Sequence, residues 1–342
     1  MADRFESLVS LLGDDVSVRW LITLLHFLWQ GAVVGGAIAI AGRLLRGASA
    51  QLRYALYSAS FLSLPVCVAV TFCVVDVPAS LQSSSRIERL VDIPTNSSAL
   101  PSQAPAIAAT VQTETAKATD AAVPSERVVR NAATMKAVAD DNSESLSHSS
   151  AALLSRAAPW IAVAYVVGVV GFLFRLLSAL WGGHRLRTRA AYVTDAKLLK
   201  LIADQADRVK LKYVPVVAYC ERVAVPTVLG VLRPMVLLPV PLMTGLTPAD
   251  FASIIRHELA HIRRYDLWMN LLQRVIESLL FFHPVVWFIS RQLNAEREVC
   301  CDDLVVSSGY EPMHYAGALL RMAELWFNRL KRIVGLKKVW TC

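Results

Sequence analysis

Charge is scarce in this 342-residue chain: Asp, Glu, Lys and Arg make up 18% of it, where soluble proteins average about 25%. The shortage goes with a surplus, 55% apolar residues and a mean hydropathy of +0.45, gathered in blocks. That excludes an ordinary soluble globule and points to an integral membrane protein with a polar part attached. Six cysteines form no disulfide framework and no CxxC metal knuckle. Cys67 and Cys73 fall inside an apolar block, while Cys220, Cys300, Cys301 and Cys342 fall in or near the polar part. No cleavable leader is expected, because acidic residues precede the first apolar block and that block is long enough to span. The net charge of +8 would suggest nucleic acid in a soluble protein. Here the basic residues crowd beside apolar blocks, so they signal topology and anionic-lipid contact, and no direct nucleic-acid binding is expected.

Three runs have the length of a membrane span: Trp20–Gly42 with 23 residues, Tyr54–Val75 with 22 and a kink expected at Pro65, and Ala157–Phe174 with 18. Arg43, Arg46 and Arg53 crowd the first connection, and Arg185, Arg187 and Arg189 follow the third span. Both clusters predict cytoplasmic sides, leaving the N-terminus and the second connection outside. Gly31 and Gly35 form a small-xxx-small pair, and His26 and Gln30 are polar at membrane depth, which fits packing against a helix neighbour or a signalling role.

The expected organisation is two spans in 1–76, an external loop in 77–155, a third span in 156–181, a cytoplasm-facing domain in 182–325 and a basic amphipathic tail in 326–342. Pro78–Ser155, rich in Ser, Ala, Thr and Asn, is expected to be largely disordered. After Arg185 the texture becomes that of an α/β domain: "AKLLKLIADQADRVKL" has helical period, whereas "YVPVVAYC" and "VLRPMVLLPVPL" are β-rich. Pro226, Pro234 and Pro239 predict edge strands or extended segments for the latter, and an open edge could hold an extended peptide.

Thr247, Pro248 and Asp250 start a helix, with an N-cap hydroxyl, Pro at the first position and an acid at the third. On that helix "HELAH" sets His257 and His261 one turn apart, able to meet one tetrahedral Zn²⁺, with Glu258 beside them as the base for a water whose pKa zinc lowers to about 7. A third ligand is sought downstream. Glu296 and Glu298 lie about 200° apart on a helix, so only one can face the metal. Glu298 is favoured, because Asp302 one turn on could then orient a ligand histidine. Cys301 shares that face and is the thiolate alternative. Glu298 can reach the histidines only if 267–290 does not cross the membrane once. Arg274, Glu277 and "HP" at His283–Pro284 interrupt that stretch, so two helical arms that dip into the bilayer and return are expected. Tyr265, His283 and Tyr315 are the candidates to steady an oxyanion.

"PTVLGVLRPMVLLP", "RHELAHIRRYD", "FFHPVVWFISRQLNAEREVCCDDLVV" and "YAGALL", in that order, resemble the integral-membrane metalloproteases of the BlaR/MecR antirepressor kind, over roughly Trp20 to Leu320. The resemblance implies zinc on His257, His261 and Glu298, Glu258 as base, and a gluzincin-like α/β fold akin to HtpX-like membrane proteases, within a mainly α membrane protein. It also implies cleavage of a DNA-binding repressor of winged-helix type, or self-cleavage. Residues 321–342 hold no further apolar run, so an external sensor domain is not expected and β-lactam sensing is not carried over. The expectation is a multi-pass zinc endopeptidase of the bacterial inner membrane. Its site would face the cytoplasm, and its partners would be a protein substrate and the lipid bilayer. The alternative is a non-proteolytic transducer whose metal site is structural or vestigial. A transporter has little to build a path from, since the spans hold no repeat and few charges.

Overall fold

A computed structural model describes residues 14–76, 124–240 and 245–334. Among them are helices α1 (Asp14–Leu44), α2 (Ala50–Val74), α3 (Pro124–Arg189), α4 (Ala196–Arg208), α5 (Pro248–Arg263), α6 (Asp266–Leu279), α7 (Pro284–Ser307) and α8 (Pro312–Val334). The strands are β1 (Ala191–Tyr192), β2 (Val216–Tyr219), β3 (Thr227–Leu229) and β4 (Met235–Leu238). Three helices are long and apolar enough to cross a membrane, over Val16–Gly47, Ala50–Val74 and Ala157–Arg189. The chain divides into two compact units, Met1–Ile22 with Val74–Ala164 and Thr23–Cys73 with Tyr165–Cys342. In the first, Val18 and Leu21 pack on Ala158.

The expectation for the external loop changes here. The predicted disordered loop lies outside the described residues up to 123, but 124–155 is helical, the start of α3. No Gly or Pro interrupts the chain between Pro124 and Pro159, and Ala recurs throughout, so helix propensity prevails over low hydrophobicity. Helix α2 continues through Pro65, from Ala50 to Val74.

The second unit holds a four-stranded sheet in the order β1-β2-β4-β3, with β2 and β4 parallel and both outer pairings antiparallel. β4 is therefore central, contrary to the edge role its prolines predict. Pro234 and Pro239 stand immediately outside the strand, where a missing N–H costs no ladder bond. Of the two strands flanked by these prolines only β3, behind Pro226, is an edge, β1 being the edge on the far side. Alternation then fixes the core. Val217, Val236 and Leu238 face α4 and α5 through Ile202, Phe251, Ile255 and Leu259, while Ala218, Met235 and Leu237 face Leu186 and Ala190 at the end of α3. Buried Arg256 ties α5 to its neighbours, its Nη2 donating to Gln205 Oε1 at 2.6 Å and its Nη1 to the Ser308 carbonyl at 3.0 Å.

Helices α6 and α7 form a hairpin broken at His283–Pro284. The Val285 N–H donates to His283 Nδ1 at 3.1 Å, which leaves Nε2–H to donate to the Leu28 carbonyl at 3.1 Å. His283 is thus committed to joining the α7 N-cap to α1. Its ring packs on Phe27, and Phe281 stacks on Phe172 with centroids 5.1 Å apart. Such ring pairs contribute about 0.5–1.5 kcal/mol beyond area burial. The tip therefore meets α1 at 27–35 and α3 at 165–172, near the middle of the first and third apolar helices. The arms are clamped by a buried polar network: Gln273 Nε2 donates to Ser290 Oγ at 2.6 Å, the Ser290 hydroxyl donates to Glu277, and Arg297 donates to Gln273 Oε1 at 2.7 Å.

Gly31 and Gly35 seat this hairpin. A Cβ at Gly31 would lie 2.5 Å from His283 Nε2, and one at Gly35 would lie 2.7 Å from both Val285 methyls. Gly35→Leu is expected to cost about 1–3 kcal/mol by overpacking, which a thermal melt of the detergent-solubilised chain would register as a lower midpoint. Substitution at Gly36, which has open space around its Cβ position, should leave the midpoint unchanged.

Candidate metal centre

The helix start predicted at Thr247 is in place: its hydroxyl accepts from the Asp250 N–H at 3.2 Å, and Pro248 occupies the first turn. Asp250, fully buried, pairs with Arg321 of α8, and that guanidinium holds its carboxyl below the usual range. With α5 so anchored, the two histidines of its third and fourth turns point the same way. His257 Nε2 and His261 Nε2 are 3.2 Å apart. Glu298 Oε2, brought back by α7, lies 3.4 Å from the first and 3.7 Å from the second. A tetrahedral ion with bonds of about 2.0–2.1 Å requires donor–donor edges of about 3.3–3.4 Å, so this triangle fits a zinc-sized cation.

Behind each imidazole stands a carboxylate. Asp302 Oδ1 is 3.0 Å from His257 Nδ1 and also accepts from the Tyr315 hydroxyl at 2.7 Å. Asp266 Oδ2 is 2.9 Å from His261 Nδ1 and takes the Cys301 S–H at 3.3 Å. Both acids accept from Nδ1–H and turn the Nε2 lone pairs to the front, the usual support of ligating histidines. Burial lowers the pKa of His257, but Asp302 and Glu298 override it and lift it to about 10. An imidazolium cannot ligate, so a cation entering between the histidines displaces a proton and its affinity rises with pH.

Glu298 and Glu296 go to different places. Glu296 pairs with Arg53 of α2 at 2.8 Å, while half-exposed Glu298 faces the histidines. Cys301 is buried on the Nδ1 side of His261, 3.3 Å from that atom and away from the Nε2 face. Burial also pushes its thiol pKa up, so it is a donor to Asp266 and not a thiolate facing the cation. None of the three oxyanion candidates faces the site. His283 is held at the hairpin tip, Tyr315 touches His257 from behind at 2.8 Å, and Tyr265 is exposed and does not line the cleft.

Asp266 is a site residue that the sequence reading missed. Helix α5 ends at Arg263, and Tyr265, with φ 60°, turns the chain so that Asp266 swings back onto His261. Periodicity carries no signal for such a turn; the available clue was an acid just beyond the second histidine of the motif.

Glu258 lines an open cleft of about 280 Å³ together with His261, Asp266, Glu298, Arg297 and the edge strand β3. Burial lifts its carboxyl to about 7, against the pull of both histidines. Next to this cleft, sharing Val228, Leu267 and Asn270, lies a larger and more apolar cavity of about 540 Å³, walled by Leu176, Leu271 and Trp287. A carboxyl with this pKa beside a cation site and an unpaired strand edge can exchange a proton with a bound group at neutral pH.

Comparison with known proteins gives the chain's family. The family description "BlaR1 peptidase M56" matches residues 23–335. The chain is similar to the regulatory protein BlaR1 of Bacillus licheniformis, 22% identical over 166 residues, which cover 47% of this chain and 28% of that protein. It is similar also to the methicillin resistance mecR1 protein of Staphylococcus aureus, 24% identical over 121 residues, 35% of this chain and 21% of that protein. The matched stretches thus span about a quarter of the length of these curated relatives.

Proposed function

The chain belongs to the BlaR1 peptidase M56 family, and on that premise we propose that it is a membrane-embedded zinc endopeptidase of regulatory type. It would cleave a cytoplasmic repressor or itself. The observation that carries the reading is the triangle of His257 Nε2, His261 Nε2 and Glu298 Oε2 beside a half-buried Glu258. His257, His261 and Glu298 would hold zinc, which when bound supplies Lewis-acid polarisation and an acidified water at neutral pH. Asp302 and Asp266 keep both imidazoles in the Nδ1–H form. Glu258 takes the proton of the attacking water and hands it to the leaving amide nitrogen. An extended substrate pairs with the open edge of β3, one of its apolar side chains entering the cavity next to Leu271 and Trp287. The regulatory role follows what the BlaR1 relative is named for, and a winged-helix repressor is the proposed substrate.

The hairpin supports a bilayer placement. Its tip touches α1 and α3 near mid-span, whereas Glu296, two residues from Glu298, touches Arg53 at the basic end of α2. We infer a re-entrant hairpin with the metal centre near the cytoplasmic surface, since basic ends mark that side. Chelation tests the reading. Stripping the purified chain with a chelator is expected to abolish self-cleavage or repressor cleavage, and stoichiometric zinc to restore it. Cleavage that persists after zinc falls below a tenth of an ion per chain would sink the mechanism, and zinc bound without any cleavage would favour a transducer.

Positioning by Asp266 gives a finer expectation. Asp266→Asn should weaken zinc affinity about 10–100-fold, the range for outer partners of a ligating histidine, as measured by competition with a chromogenic chelator.

A further inference from the structure

A second cavity, of about 490 Å³, opens where α1 and α2 meet α7, lined by Arg43, Arg46, Arg53, Tyr57, Gln292 and Glu296. Its charges do not balance. Arg53 is committed, with Nε on Glu296 Oε1 at 2.8 Å and Nη1 on the Ala48 carbonyl at 2.7 Å. Arg43 and Arg46 are exposed, and among the described residues neither has an ion-pair partner. With the single carboxylate already paired, two guanidinium groups face the cavity uncompensated. Gly42 shapes the floor: a Cβ there would collide with the Tyr57 hydroxyl, so its absence lets this ring, itself buried, sit against α1. Phe288 and Ala39 supply an apolar wall.

We propose that this cavity binds the phosphate of an anionic phospholipid headgroup. Guanidinium pairs match phosphate oxygens in geometry and charge. The cavity lies at the joined ends of two apolar helices, Val16–Gly47 and Ala50–Val74, at the headgroup level of the basic side, and its apolar wall continues toward the spans. That location selects a lipid over a free anion. The proposal rests on the bilayer placement above and is independent of peptidase activity. It also makes α7 a shared element, since Glu296 closes the cavity while Glu298 of the same helix faces the histidines.

The test is native mass spectrometry of the full chain in neutral detergent, with phosphatidylglycerol, phosphatidylcholine and inorganic phosphate as probes. Phosphatidylglycerol should be retained at least about tenfold better than phosphatidylcholine, given roughly 1 kcal/mol per basic residue at a lipid surface. Arg43→Gln with Arg46→Gln should abolish that preference. Arg43→Lys with Arg46→Lys should keep most of it, as should the charge-matched control Lys200→Gln with Lys212→Gln, two exposed sites that do not line the cavity. Equal retention of the two lipids, indifference to the double Gln variant, or displacement by millimolar inorganic phosphate would each overturn the proposal. A chain that associates with no vesicle of any composition would instead overturn the bilayer placement itself.

Discussion

Glu258→Gln is expected to keep one zinc ion per chain while cleavage falls about 10²–10⁴-fold, the contribution of a positioned general base. The amide keeps the shape of the carboxylate and cannot accept a proton. Metal content should hold, because the triangle that fits zinc contains the two histidines and Glu298 but not Glu258. The same residue sets the pH dependence. Burial holds its carboxyl near 7, and a nearby dication moves a carboxyl pKa downward by favouring the anion. The base acts when deprotonated, so cleavage should fall as pH drops through a pKa lying below about 7. In Glu258→Gln the residual rate should lose that acid limb. A variant that cleaves as fast as the parent would contradict the role.

Glu298→Ala is expected to weaken zinc binding by more than the roughly 10–100-fold that outer partners are worth, whereas Glu296→Ala should leave zinc unchanged. A single residue, Arg297, separates these acids, so composition and local charge change equally in both variants. What differs is direction: Glu298 faces the histidines and Glu296 faces Arg53. Glu296→Ala should instead loosen the contact between α2 and α7 and lower the thermal midpoint. Zinc lost in Glu296→Ala and kept in Glu298→Ala would reverse the assignment.

The HExxH spacing and the capped helix start at Thr247 were legible in the sequence because both are local. They depend on period and on one hydroxyl–amide bond. The separation of Glu296 from Glu298 was legible for the same reason, since helical phase alone parts them. The His283–Pro284 break was readable because Pro disfavours helix in the residue before it. Less could be seen where distant segments decide. The prolines around β4 gave an edge reading because their position just outside the strand depends on pairing with both β2 and β3. Asp266 stayed hidden because it reaches His261 only through the left-handed backbone of Tyr265, which no periodic pattern encodes. Tyr315 was one of three oxyanion candidates, whereas its contact with the rear nitrogen of His257 depends on how α8 packs on α5. The lipid cavity was visible only as a cluster of arginines, since its walls come from three helices, one of them far from the others in sequence.

The most direct measurement of the central claim is X-ray absorption at the zinc edge on the zinc-loaded chain. The account predicts two imidazole nitrogens and one or two oxygens at about 2.0–2.1 Å, with no sulfur shell. The oxygen contribution should decrease in Glu298→Ala loaded at high zinc. A sulfur shell at about 2.3 Å that disappears in Cys301→Ala would contradict it, placing the buried thiol, and not Glu298, on the metal.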